Sequence, residues 1–119
     1  MAWEVEATDE LRAWYWGLDP TDQEGINGAI DLLQRHGPAL TRPLADRIAS
    51  SRHHNLKELR PPATNIRILF VFDPRRTAIL LLGGDKTDRW TEWYRLNVPI
   101  ADRLYDEYLE SLRREGLLP

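Results

Sequence analysis

Two apolar runs, Ile66–Phe72 (IRILFVF) and Thr77–Leu82 (TAILLL), are separated only by Asp73-Pro74-Arg75-Arg76. Runs this short, dense in aliphatic, β-branched and aromatic residues, read as strands rather than helices. Near-continuous apolar character marks them as the buried centre of a sheet. Pro74 suits the second position of a tight turn, so the pair forms a hairpin. Gly83-Gly84-Asp85 ends the returning strand and is a natural place for a bulge. Whatever else the chain does must be arranged around this hairpin.

The preceding segments supply two more strands, and helices before and after the hairpin cover the sheet. Residues 3–7 alternate as W-E-V-E-A, the pattern of a half-buried strand. Thr8 or Asp9 then caps a helix whose Leu11, Trp14, Tyr15 and Leu18 share one face, and Gly17 with Asp19-Pro20 closes it. Thr21 or Asp22 opens a second helix with Ile26, Ala29, Ile30 and Leu33 as its apolar stripe, ended by Gly37-Pro38. The two form a helical hairpin whose stripes are core. Residues 38–51 are less regular and read as a loop with a short turn or strand. Leu56–Leu59 is a short strand stopped by Pro61-Pro62. Val98, Ala101, Leu104, Tyr105, Tyr108, Leu109 and Leu112 recur at helical spacing, with Pro99 fitting a first turn and Gly116 a stop. The expected fold is α+β in the order β-α-α-β-β-β-α. An antiparallel-rich sheet packs against a helical hairpin and a C-terminal helix, all in one domain over residues 1–119.

The chain has no cysteine, which excludes disulfide scaffolds and thiolate metal sites. No convincing cluster of His, Asp and Glu replaces them, so no cofactor or metal is expected. No apolar run has the length of a membrane span, and the N-terminus lacks the basic start and apolar stretch of a signal peptide, so a cytoplasmic protein is expected. Net charge is −3, but it is divided unevenly. Residues 34–89 hold 11 Lys+Arg against 5 Asp+Glu, or +6, and the remainder holds 5 against 14, or −9. A basic centre between acidic ends points to a polyanion held by the sheet.

Lys57 and Arg60 lie on the first short strand, Arg67 opens the second, and Lys86 follows the third. These four are expected to gather on one open sheet face, because an antiparallel sheet can pack one face on helices and offer the other to a ligand. Arg75 and Arg76 at the hairpin tip are either a phosphate anchor or a solvated turn. His53 and His54 have the right chemistry for acid/base work near neutral pH but sit in a loop. Gly83-Gly84-Asp85-Lys86 lacks the spacing of a phosphate-binding loop. Arg67 can equally be paired with a carboxylate across the sheet, and Trp93 and Tyr94 can be core.

The ordered combination of Leu56–Arg60 (LKELR), residues 66–87 (IRILFVFDPRRTAILLLGGDKT), W-x-x-W-Y at Trp90–Tyr94 and Ile100–Tyr105 (IADRLY) resembles the RelE/ParE superfamily of bacterial toxins, within its HigB-like branch. The resemblance covers nearly the whole chain. It implies the toxin of a type II toxin–antitoxin pair, a metal-independent endonuclease acting on mRNA in the ribosomal A site. The RNA's own 2′-hydroxyl would be the nucleophile, leaving a 2′,3′-cyclic phosphate. It also implies a cognate antitoxin, often one with a helix-turn-helix DNA-binding domain. On this resemblance Arg67 serves the scissile phosphate, Lys57 and Lys86 contact phosphate or assist proton transfer, and Tyr94 or a nearby His completes the acid/base work. Arg60, His54, Arg75, Arg76 and Trp93 are the implied RNA contacts. The ParE branch instead inhibits DNA gyrase, and a catalytically weak subunit of a repressor complex is a third reading, because the C-terminal helix is acidic.

Overall fold

The computed structural model of the chain describes residues 2–85 and 90–118. Its elements are β1 (Val5–Ala7), α1 (Asp9–Trp16), α2 (Pro20–His36), a 3₁₀ turn (Gly37–Ala39), β2 (Ala45–Arg47), β3 (Lys57–Leu59), β4 (Ile66–Phe72), β5 (Ala78–Asp85) and α3 (Trp90–Arg114). The sheet has the order β1-β5-β4-β3-β2. Only the β1–β5 pair is parallel. The other three pairs are antiparallel, so the expected antiparallel-rich α+β fold is present.

Local chemistry explains the helix starts. The Thr8 hydroxyl accepts from Leu11 N–H at 3.1 Å and donates to the Leu81 carbonyl at 2.7 Å, tying the first turn of α1 to the sheet. Asp19 and Pro20 open α2 instead of closing α1. Asp19 is the N-cap, its carboxylate accepting from Asp22 N–H at 2.9 Å, and proline occupies the first turn, where its missing N–H costs nothing. Helix α3 likewise begins about two turns before Pro99, which lies inside it. Pro99 is on the exposed side, and the preceding turns are seated on the sheet by Trp93 and Tyr94. The irregular segment before Ser51 supplies β2.

The sheet is covered on both faces. Leu11, Ile26, Ala29 and Leu33 of the helical hairpin close over Leu59, Ile68, Phe70 and Leu80. On the other face Val98, Ala101, Leu104 and Tyr105 of α3 close over Leu69, Val71, Ile79 and Leu81. The open ligand-binding face expected from the cation spacing is therefore occupied by α3 along most of its length. That leaves the sheet's end, near the start of α3, as the place for a site.

A register shift between Leu69 and Phe70 adds one residue to β5, Leu81. The extra residue resets the alternation of everything after it. Gly83 consequently faces the hairpin, where a β-carbon would come within 2.3 Å of the Trp14 ring. Gly84 faces α3, where a β-carbon would come within 2.5 Å of the Trp93 indole nitrogen. β5 thus runs through the glycine pair to Asp85 and does not stop before it.

Candidate active site

Glu58 is the hub of the polar cluster at that end of the sheet. It lies in the middle of β3, pointing to the α3 face, with a side chain only 5% exposed. Three groups converge on its carboxylate. The Tyr94 hydroxyl, from the second turn of α3, donates to its two oxygens at 2.7 and 3.0 Å. Arg67 Nε is 3.2 Å from Oε1, and Arg60 Nε donates to the same oxygen at 3.2 Å. Arg60 also reaches Asp46 of β2 at 3.2 Å, and Arg67 is held at its other end by the Ile66 carbonyl at 2.8 Å. The β3–β4 register, continued by one residue, sets Arg60 directly opposite Arg67. Two guanidiniums side by side would repel, and the buried carboxylate between them is what makes the arrangement stable.

Exposure rises outward, from Glu58 through Arg67 at 12% to Arg60 at 30%. The site is therefore a preorganised set of fixed cations and one phenol, anchored from below and reachable from the sheet's end. Such a set suits charge developing on a phosphoryl oxygen.

The Tyr94 phenol is pushed up to about 12, first by burial and then by its hydrogen bond to Glu58. Tyr108 is likewise at about 12, through burial and its bond to Glu6. Tyr94 is therefore a proton donor at neutral pH. An unfolded phenol titrates near pH 10 (about 10). The folded chain holds this proton more tightly, so Tyr94's contribution to stability is complete below the unfolded value and is lost as pH rises through about 12. Tyr105 is raised as well, chiefly by burial, so alkaline titration followed by phenolate absorbance should show Tyr94→Phe removing one of the late, high-pH ionisations. An unchanged titration curve would contradict the assignment.

The expected site residues divide between this cluster and places far from it. Arg60, Arg67 and Tyr94 are in it, and Trp93 borders it, its indole against Gly84 and edge-on to Tyr94 at 5.2 Å. Lys57 is not. It points to the hairpin face, with Nζ 5.6 Å from the Phe72 ring centroid. The reason is parity: Lys57 and Arg60 are three residues apart, so the strand alternation that puts Arg60 beside Arg67 puts Lys57 on the opposite face. Lys86 lies outside the described residues.

Arg75 is bound by Asp73 at 2.8 Å and Glu6 at 3.0 Å beside β1, and Arg76, at φ 68°, stacks over Trp3 at 5.0 Å. The hairpin tip is at the far end of β4 from Arg67, roughly 25 Å along the strand. His54 is exposed and offers its carbonyl to Arg47 at 3.1 Å. His53 meets Asp106 at 3.0 Å. Both histidines precede β3, at the opposite end from Arg60.

The acids in the second half of α3 are also remote. Asp102 is buried under Ser51 and Arg52, Asp106 is paired with Arg52, and Glu107 is about 20 Å along the helix from Tyr94. Glu58 and Asp46 were not among the expected site residues. The signal for Glu58 was its place two residues before Arg60 and across the strand pair from Arg67. The signal for Asp46 required the β2 register.

No three His, Asp or Glu side chains among the described residues converge as metal ligands. No helix among them is long and apolar enough to cross a membrane.

Comparison with known proteins places this architecture. Residues 13–106 match the family described as phage derived protein Gp49-like. The chain is 50% identical over 102 residues to a candidate toxin, HigB3, of Mycobacterium tuberculosis, covering 86% of this chain and 90% of that one. It is 45% identical over 104 residues to another from the same organism, HigB2, of whose length it spans about half (52%). Among solved structures, the RelE–RelB complex from Pyrococcus horikoshii matches with a TM-score of 0.60 at 11% identity, over 74% of this chain and 99% of that one. The isolated E. coli RelE toxin matches with a TM-score of 0.59 at 8% identity, over 79% and 97%. Sequence likeness across most of the chain, with the same fold in distant RelE structures, leads to one conclusion: the chain belongs to the Gp49-like family, together with the HigB toxins it resembles in sequence, and has the RelE fold.

Proposed function

We propose that the chain is the toxin of a type II toxin–antitoxin pair and that it cleaves mRNA in the ribosomal A site. The observation that supports this most directly is the convergence of Arg60, Arg67 and Tyr94 on Glu58 at the accessible end of the sheet. In this reading Arg67, with Arg60 beside it, stabilises charge on the scissile phosphate. Glu58 is too buried to meet RNA itself and works through Tyr94. The 2′-hydroxyl gives its proton to the Tyr94 oxygen as the Tyr94 proton passes to Glu58. The 2′-oxygen then bonds to phosphorus, the bond to the 5′-oxygen breaks, and that oxygen takes a proton from Lys86 or water. Trp93 offers a ring on which a base of the codon can stack. Lys57, Arg75, Arg76 and His54 serve RNA only at a distance from the reacting atoms.

The same reading gives the toxin a cognate antitoxin carrying a helix-turn-helix DNA-binding domain. The names of its HigB relatives and the RelB partner of the Pyrococcus RelE favour such a pair.

The test is purified protein added to ribosomes programmed with a defined mRNA, with 5′ ends mapped and 3′ ends analysed. Cleavage within the A-site codon, ending in a 2′,3′-cyclic phosphate, is expected. On a substrate that stays assembled without free divalent ions, EDTA should leave the rate unchanged. Loss of cleavage in EDTA, restored by adding a divalent ion, would overturn the metal-free mechanism. Intact mRNA together with inhibited supercoiling by gyrase would replace the nuclease reading with the ParE-like one.

A further inference from the structure

The two edges of the sheet are not equivalent. At the β2 edge the outward backbone donors are already taken: Ala45 N–H by the Thr41 carbonyl at 3.1 Å, and Arg47 N–H by the Asp46 carboxylate at 2.8 Å. At the other edge, β1 is bonded to β5 through Glu4, Glu6 and Thr8. The flanking bonds are Ala78 N–H to Glu4 O at 2.9 Å and Thr8 N–H to Leu80 O at 3.0 Å. Alternation turns the backbone groups of Val5 and Ala7 the other way, to the outside of the sheet. The next donor in that outward series, Trp3 N–H, is taken by the Gln34 carbonyl at 2.7 Å, but no such partner meets Val5 or Ala7 among the described residues. An open strand edge is a template for another strand.

The surroundings of this edge differ between its two faces. On the hairpin face a groove of about 340 Å³ is lined by Leu11, Tyr15, Trp16, Ile26 and Ile30, and Trp16 is 72% exposed. On the α3 face a cavity of about 450 Å³ is lined by Glu6, Asp9, Glu10, Glu107 and Glu115, with Arg75 its one cation among the described residues. Arg75 is already committed to Glu6 and Asp73. Asp9, Glu10 and Glu115 have no ion-pair partner among the described residues.

A strand added outside β1 must itself alternate. Its residues beside Val5 and Ala7 enter the apolar groove, and the one beside Glu6 enters the acidic cavity. We propose that the β1 edge docks an extended segment of a partner protein in which aliphatic residues alternate with lysine or arginine. Backbone pairing supplies affinity, and the two grooves of opposite character supply the sequence pattern. Carboxylates along the edge disfavour RNA there. The proposal stands apart from the reading of the cleavage site, which lies at the start of α3 and not at β1.

The test uses the full chain, labelled with ¹⁵N, and a capped peptide alternating leucine and arginine. Matched controls are a leucine–glutamate peptide and a short single-stranded RNA. The leucine–arginine peptide should bind, slow hydrogen exchange at the Val5 and Ala7 amides, and shift the Trp16 indole resonance. Trp16→Ala and Glu107→Lys, both at exposed positions, should each weaken it about tenfold, as befits an aromatic anchor and a charge partner. No binding, binding with unchanged exchange at Val5 and Ala7, or equal binding of either control at this edge would overturn the proposal.

Discussion

Arg67→Ala should slow mRNA cleavage by about 100- to 1,000-fold, the usual cost of removing one preorganised donor from a developing oxyanion. Induction of the variant should no longer arrest growth. The side chain lies 3.2 Å from Glu58 and opposite Arg60, at the accessible end of the central hairpin. Its removal need not unfold the chain, because Glu58 keeps Arg60 and Tyr94 as partners. Cleavage under single-turnover conditions, with circular dichroism to verify the fold, decides the matter. An undiminished rate from a folded variant would remove Arg67 from the mechanism.

Glu58→Leu should be the most damaging polar-to-apolar change in the molecule. It leaves two facing guanidiniums without the carboxylate between them, and a phenol without its acceptor. Breaking a buried pair from one side costs roughly 3–5 kcal/mol. Glu58→Gln keeps an oxygen for Tyr94 while losing the charge, so it should destabilise much less. It should nevertheless lose activity, because a neutral amide cannot take up the proton that Tyr94 passes on. Urea unfolding midpoints and cleavage rates for the two variants separate the structural role from the chemical one. A Leu variant as stable as the wild type would show that Glu58 does not hold the cluster together.

The hairpin, the helix order and three members of the cluster were legible in the sequence because each rests on local pattern. Ile66–Phe72 and the stripes of α1 and α2 announce themselves through apolar spacing. Arg60 and Arg67 stood out as cations at strand ends. What escaped depends on relations between strands. Lys57 is expected on one open sheet face with Arg67, and only parity along β3 separates them. Glu58 is not singled out by its local sequence, and its importance comes from α3 closing over it with Tyr94. The reach of α3 back to Trp90 was hidden by Pro99, which is tolerated because it faces solvent. Asp19-Pro20, a turn signal in isolation, proved to be the opening of a helix.

The glycine pair in β5 carries a consequence of a different kind. Trp14 rests on Gly83 from one side and Trp93 on Gly84 from the other, so two layers meet there across the thickness of a bare peptide. Gly84 is the register partner of Arg67, and Trp93 precedes Tyr94 on α3. A single methyl group at position 84 would wedge the indole away and carry the neighbouring phenol with it. The tolerance of the proposed site's geometry is therefore set by a residue with no functional group at all. In this protein the narrowest constraint on chemical change falls on a hydrogen atom.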